Sequence, residues 1–142
     1  MQAHIPEITN VIQLAVAPVF MLTAVGTILA ALNMRLGRAV DRRRALEEGL
    51  AGRMADDGAR AELAQIARRI RFVYLSIVFA VLSGLFVCLL IAGAFIGAFV
   101  AANLARMVAA LFVLAVASLT VSLLLFLREI FLAVSTPRHV PK

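Results

Sequence analysis

MRLGRAVDRRRALEEGLAGRMADDGARAELAQIARRIR, residues 34–71, decides how the rest of the chain is read. It holds ten of the thirteen arginines and six of the eight carboxylates. On either side, Val11–Asn33 and Phe72–Val100 carry no formal charge. Arginine resists translocation, so positive charge this dense between long apolar runs marks a loop kept on the cytoplasmic side of a membrane. Composition agrees. With 63% hydrophobic and 15% charged residues over 142 positions, there is more apolar surface than a soluble core of this length could bury. The solvent for most of the chain is therefore lipid. The expected fold is an all-α integral membrane protein, a single domain over residues 1–142, with three transmembrane helices and a cytoplasmic helical hairpin between the first and second.

Working outward, the expected spans are residues 11–33, 72–100 and 104–127, and the hairpin covers 34–71. Met1–Asn10 has no Lys or Arg, which predicts an external N-terminus and, after three spans, a cytoplasmic C-terminus with its short basic tail. The long first apolar run has no basic segment before it and reads as a retained span, not a cleaved signal peptide. Arginine outnumbers lysine thirteen to one and alanine is abundant, a bias of bacterial genomes rich in G and C, so the expected location is a bacterial inner membrane.

Pro18 lies inside the first span, and its missing N–H predicts a mild kink after Leu14. At about 100° per residue, Thr23, Gly26, Thr27, Ala30 and Asn33 share one arc, expected to face protein. Leu14, Met21, Val25, Ile28, Leu29 and Leu32 fall opposite, expected to face lipid. In the hairpin, Leu36, Val40, Leu46 and Leu50 form one stripe and Leu63, Ile66, Ile70 and Val73 another, spaced for knobs-into-holes contact. Gly49, Gly52 and Asp56-Asp57-Gly58 supply the turn. The second span carries small residues at every fourth position, Ser76, Ala80, Gly84, Cys88 and Ala92, followed by Gly93 and Gly97. In lipid, helices associate through close backbone approach, so Gly84, Cys88, Ala92, Gly93 and Gly97 are the expected packing residues, within one chain or between chains. Ser118 and Ser122 lie one turn apart in the third span, and Arg128-Glu129 is expected to end it.

Several segments stand in a distinctive order along the chain: Ile12-Gln13 and Ala17-Pro18-Val19-Phe20, then Asn33, Arg35-Leu36, Arg38 and Asp41-Arg42, then Arg68-Arg69-Ile70-Arg71, and finally Leu125-Phe126-Leu127-Arg128-Glu129. Over nearly its whole length the sequence resembles a family of bacterial three-span membrane proteins catalogued only as a domain of unknown function. The resemblance implies a membrane fold and a bacterial setting, and no activity.

Candidate chemistry is sparse. His4 and His139 are expected on opposite sides of the membrane. No Asp, Glu, Lys or His lies within residues 11–33 or 72–100, and Cys88 sits among apolar neighbours where a thiolate is disfavoured. No catalytic, cofactor-binding or metal-binding residue is expected, nor an internal disulfide, since Cys88 is the one cysteine. Arg35, Arg38, Arg68, Arg69 and Arg71 stand where lipid phosphates are and read as contacts to anionic headgroups or to a protein partner. Nucleic acid is not expected, because no aromatic residues interleave with the arginines. Gln13, Thr23, Thr27 and Asn33 offer polar groups that could line a pore or bond to neighbouring helices. The leading expectation is a non-catalytic homo-oligomeric membrane protein whose cytoplasmic hairpin serves assembly or partner docking. The alternative is a homo-oligomeric ion channel lined by the first span.

Overall fold

The structure, a computed structural model, describes residues 5–51, 57–100 and 104–134, and all but Leu104 are helical. Helix α1 is Ile5–Ala51, α2 is Asp57–Val100 and α3 is Ala105–Val134. Each contains a segment long and apolar enough to cross a membrane: Ile12–Gly49, Arg60–Val100 and Ala105–Leu132. His4, Gly52, Arg53, Asp56, Asn103, Pro137, Arg138, His139 and Lys142 lie outside the described residues, as does the side chain of Leu50.

The charged arms are helical because they are built from strong helix formers, chiefly Ala, Leu, Arg and Glu, with no proline between Met34 and Ala51. At 47 and 44 residues, α1 and α2 are each about twice as long as a hydrocarbon core of ~30 Å requires. The third helix runs past its expected end at Leu127. Arg128 and Glu129 sit inside α3, and Ile130-Phe131-Leu132 carry the apolar pattern onward.

The described residues divide into two compact units. One comprises Met1–Leu29 and Phe79–Thr120, the other Ala30–Val78 and Val121–Lys142. In the first, Val25 of α1 is buried against Gly84 of α2, where an added Cβ would lie 3.5 Å from the valine Cγ1. Gly93 of α2 packs on α3, its hypothetical Cβ 3.0 Å from Met107 Cε and 3.8 Å from Val108 Cγ2. Ser83 Oγ donates a 2.8 Å hydrogen bond to the Ala115 carbonyl, again joining α2 to α3. In the second unit, Ser76 Oγ donates to the Ser122 carbonyl, and Ser122 Oγ donates back to the Ser76 carbonyl at 2.7 Å. All of these serines are fully buried.

The buried residues of each helix recur at the spacing of a coiled-coil seam. On α2 they are Ile66, Val73, Ala80 and Val87, with Ser76, Ser83 and Leu90 between. On α1 they are Pro18, Val25 and Leu32, each seven residues from the next. This corrects the expected lipid-facing side of α1. Thr23, Gly26, Thr27, Ala30 and Asn33 are exposed, whereas Val25 and Leu32 of the supposed lipid face are buried at 4% and 0%. The cause is shape. Small residues on α2 leave room for the large side chains of α1, and the threonines satisfy their own hydroxyls: Thr27 Oγ1 donates to the Thr23 carbonyl at 3.0 Å, and Thr23 Oγ1 to the Val19 carbonyl at 3.5 Å. Of the other residues expected on that lipid face, Leu14 is exposed and Met21, Ile28 and Leu29 are half-buried.

The two glycine contacts predict a graded response. Gly84→Ala adds a Cβ at ordinary contact distance and should be tolerated. Gly84→Leu and Gly93→Leu should lower stability by about 1–3 kcal/mol through overpacking. Thermal unfolding of the full chain in lipid nanodiscs would check this, with wild-type stability of both leucine variants as the contrary result.

Candidate functional site: a shared carboxylate among arginines

Ser76 and Ser122 face each other across antiparallel helices, and one heptad from each lies a second polar pair. Arg69 is seven residues before Ser76, and Glu129 seven after Ser122. Arg69 Nη2 donates to Glu129 Oε1 at 3.1 Å. From α1, Arg35 Nη1 donates to Glu129 Oε2 at 3.2 Å. One carboxylate, 3% exposed, thus holds a guanidinium from each of the other two helices. The arginine side chains remain 41% and 37% exposed. Arg35 also lies over the Phe126 ring, 5.0 Å from its centroid, and Arg128 lies over Phe72 at 5.1 Å, both within cation–π range.

Arg35, Arg38 and Arg42 stand at i, i+3 and i+7, one face of α1. With Ile66 and Arg69 of α2 and Glu129 of α3 they line an open cleft of about 320 Å³. Arg42 crosses to Glu62 of α2 at 2.9 Å, and Arg43 pairs with Glu47 along α1 at 2.7 Å, both with partly exposed side chains. Such surface pairs contribute little, whereas the Glu129 carboxylate loses its hydration and depends on its two partners.

Of the five arginines expected at headgroups or a partner, Arg35 and Arg69 therefore converge on Glu129, while Arg38, Arg68 and Arg71 are exposed. Glu129 was not anticipated as a site residue. Its signal was an acid set between Phe126-Leu127 and Ile130-Phe131-Leu132 at heptad distance from a serine. The possible pore-lining residues Gln13, Thr23, Thr27 and Asn33 are exposed on α1 and line no interior of the described chain. Among the expected packing residues, Gly84 and Gly93 make contacts within the chain, and Cys88 and Ala92 are exposed. Gly97 is half-buried beside Pro18, Leu90 and Phe112 in an apolar cleft of about 550 Å³. The hairpin stripes are half-buried at Leu36, Val40, Leu46, Leu63 and Ile70, and buried at Ile66 and Val73. No group of three or more His, Cys, Asp or Glu converges among the described residues. The arginine cleft offers guanidinium donors aimed at an anion, which is chemistry of binding and orientation.

A family sequence model described as "Protein of unknown function (DUF2721)" matches residues 15–139. No curated protein and no solved structure matches the chain.

Removing the shared carboxylate leaves two guanidiniums facing each other. Glu129→Gln should lower stability by about 1–3 kcal/mol, less than for a fully enclosed pair because the arginines reach solvent. Glu62→Gln should change it by less than about 0.5 kcal/mol. Parallel melts of the two variants in nanodiscs would measure the difference, and equal melting temperatures would remove Glu129 from its central place.

Proposed function

The chain belongs to the family described as "Protein of unknown function (DUF2721)", and from that premise we propose that this member is a non-catalytic, homo-oligomeric protein of a bacterial inner membrane. Its N-terminus is external, and the arms of α1 and α2 beyond the bilayer form a cytoplasmic hairpin that serves assembly or docking of a partner. The observation that carries self-assembly is the outward face of α1. Gln13, Thr23, Gly26, Thr27 and Asn33 are exposed on a helix that is otherwise apolar enough to span a membrane. The threonine hydroxyls return to their own backbone, and Gln13 and Asn33 lie near the two ends of the uncharged run, so what favours a partner helix is the close backbone approach that the small residues of this face permit. A second copy of α1 covers that face best. Gly26 and Gly37 have no heavy atom within 4 Å of a hypothetical Cβ, and with Ala30 and Asn33 between them they follow the 4-3-4 spacing of a helix–helix seam.

The orientation rests on charge. Ten arginines lie in residues 34–71 and none in Met1–Asn10. In a Cys88→Ala background, a cysteine replacing Ala45 should resist an impermeant thiol reagent in intact cells, and one replacing Ala105 should react. The reverse pattern would invert the topology.

The same outward polar face supports a second reading, an ion channel lined by α1 of several copies. Mass measurement in nanodiscs and ion flux in liposomes separate the two. Assembly predicts a wild-type oligomer and an association constant ~10- to 100-fold weaker for Gly26→Leu, the consequence of about 1–3 kcal/mol of overpacking. A wild-type monomer in nanodiscs would defeat both readings. Flux that is lost in Thr27→Val while assembly persists would favour the channel.

A further inference from the structure

We propose that the cleft between Arg35, Arg38, Arg42, Arg69 and Glu129 binds a phosphate group, either the headgroup of an anionic phospholipid or a free phosphate. The charge count leads to this. Four guanidiniums line the cleft and a single carboxylate faces them. Glu129 bridges two of the four, so its one negative charge leaves the pair it joins net positive. Arg42 has Glu62, but Arg38 forms no ion pair with a described residue. Its one hydrogen bond runs from Nε to the Met34 carbonyl at a long 3.5 Å, which leaves both terminal amino groups for a ligand.

The donors are also held in place. Arg35 is fixed between Glu129 and the Phe126 ring, and Arg69 by Glu129. Arg69 Nε is buried without a hydrogen-bond partner among the described residues, a guanidinium donor that Glu129 does not satisfy. Rigid planar forks suit the oxygens of a phosphate, which they meet two at a time, better than they suit a single-point anion. A cleft of about 320 Å³ is the size of a small-ligand site. Arg35 is the first charged residue after the uncharged run Val11–Asn33, at the depth where phospholipid phosphates lie when that run is in the bilayer.

The test uses the purified full-length protein with two probes, phosphatidylglycerol counted by native mass spectrometry and inorganic phosphate titrated by calorimetry, with phosphatidylcholine as the uncharged-headgroup control. The expected result is saturable binding of one probe per chain, preferred over phosphatidylcholine. Arg38→Gln should weaken it about tenfold, the loss of one charge-assisted hydrogen bond. Arg44→Gln, exposed and outside the cleft, should leave it unchanged. Binding of phosphatidylglycerol that inorganic phosphate does not displace assigns the site to lipid. Binding of inorganic phosphate, alone or in competition with the lipid, assigns it to free phosphate. The proposal is overturned if neither probe saturates the wild type, or if Arg44→Gln weakens binding as much as Arg38→Gln, since diffuse surface charge would then account for it.

Discussion

Between helices in lipid, burying a leucine gains nothing over leaving it among acyl chains, so association depends on contacts that lipid cannot supply. Here these are hydroxyl-to-carbonyl bonds and close approach at glycine. Ser76 and Ser122 exchange hydrogen bonds with one another's backbone, and Ser83 donates one to the Ala115 carbonyl. Each carbonyl also lies within its own helix, so the serines add a bond without breaking one. Because a serine reaches only a few ångströms, such pairs hold their helices close together, and that closeness sets the register along α2 and α3.

The register places the one strongly buried charge of the described residues. Glu129 is opposite Arg69 for the same reason that Ser122 is opposite Ser76, one heptad along. A buried ion pair is a poor source of net stability, since desolvation offsets most of the attraction. Its value lies in discrimination. A slip of one residue in either helix would remove Glu129 from the arginines and leave a carboxylate in an apolar setting. The apolar contacts discriminate little between alignments, and the Arg35–Glu129–Arg69 cluster favours the one in which its carboxylate keeps both partners.

Three long helices were legible because the sequence signals are redundant: two uncharged runs, an arginine-rich segment between them, and helix formers throughout the arms. The face of each helix was harder. The arc of Thr23 and Thr27 was expected to face protein, yet both threonines bond to their own helix and impose no direction. What decides is the partner surface, and Val25 finds Gly84 only once two helices are brought together. The ladder on α2 had a similar ambiguity. A step of four residues drifts around a helix, so Ser76, Ala80 and Gly84 meet neighbours while Cys88 and Ala92 have turned to the outside. The heptad through Arg69, Ser76 and Ser83 was present in the sequence, hidden because arginine and serine seldom share a category in a hydropathy reading. Glu129 was obscured by Arg128 beside it, which made the pair look like the end of a span.

A threonine that returns its hydroxyl to the preceding turn presents to its surroundings little more than the two branches of a valine. Thr23 and Thr27 therefore place no demand for company on α1 while the chain is being inserted. Only the amides of Gln13 and Asn33 retain that demand, and each falls near one end of the uncharged run, where water and headgroups are within reach. The uncharged run of α1 can thus enter the bilayer with no second helix needed to satisfy its polar groups.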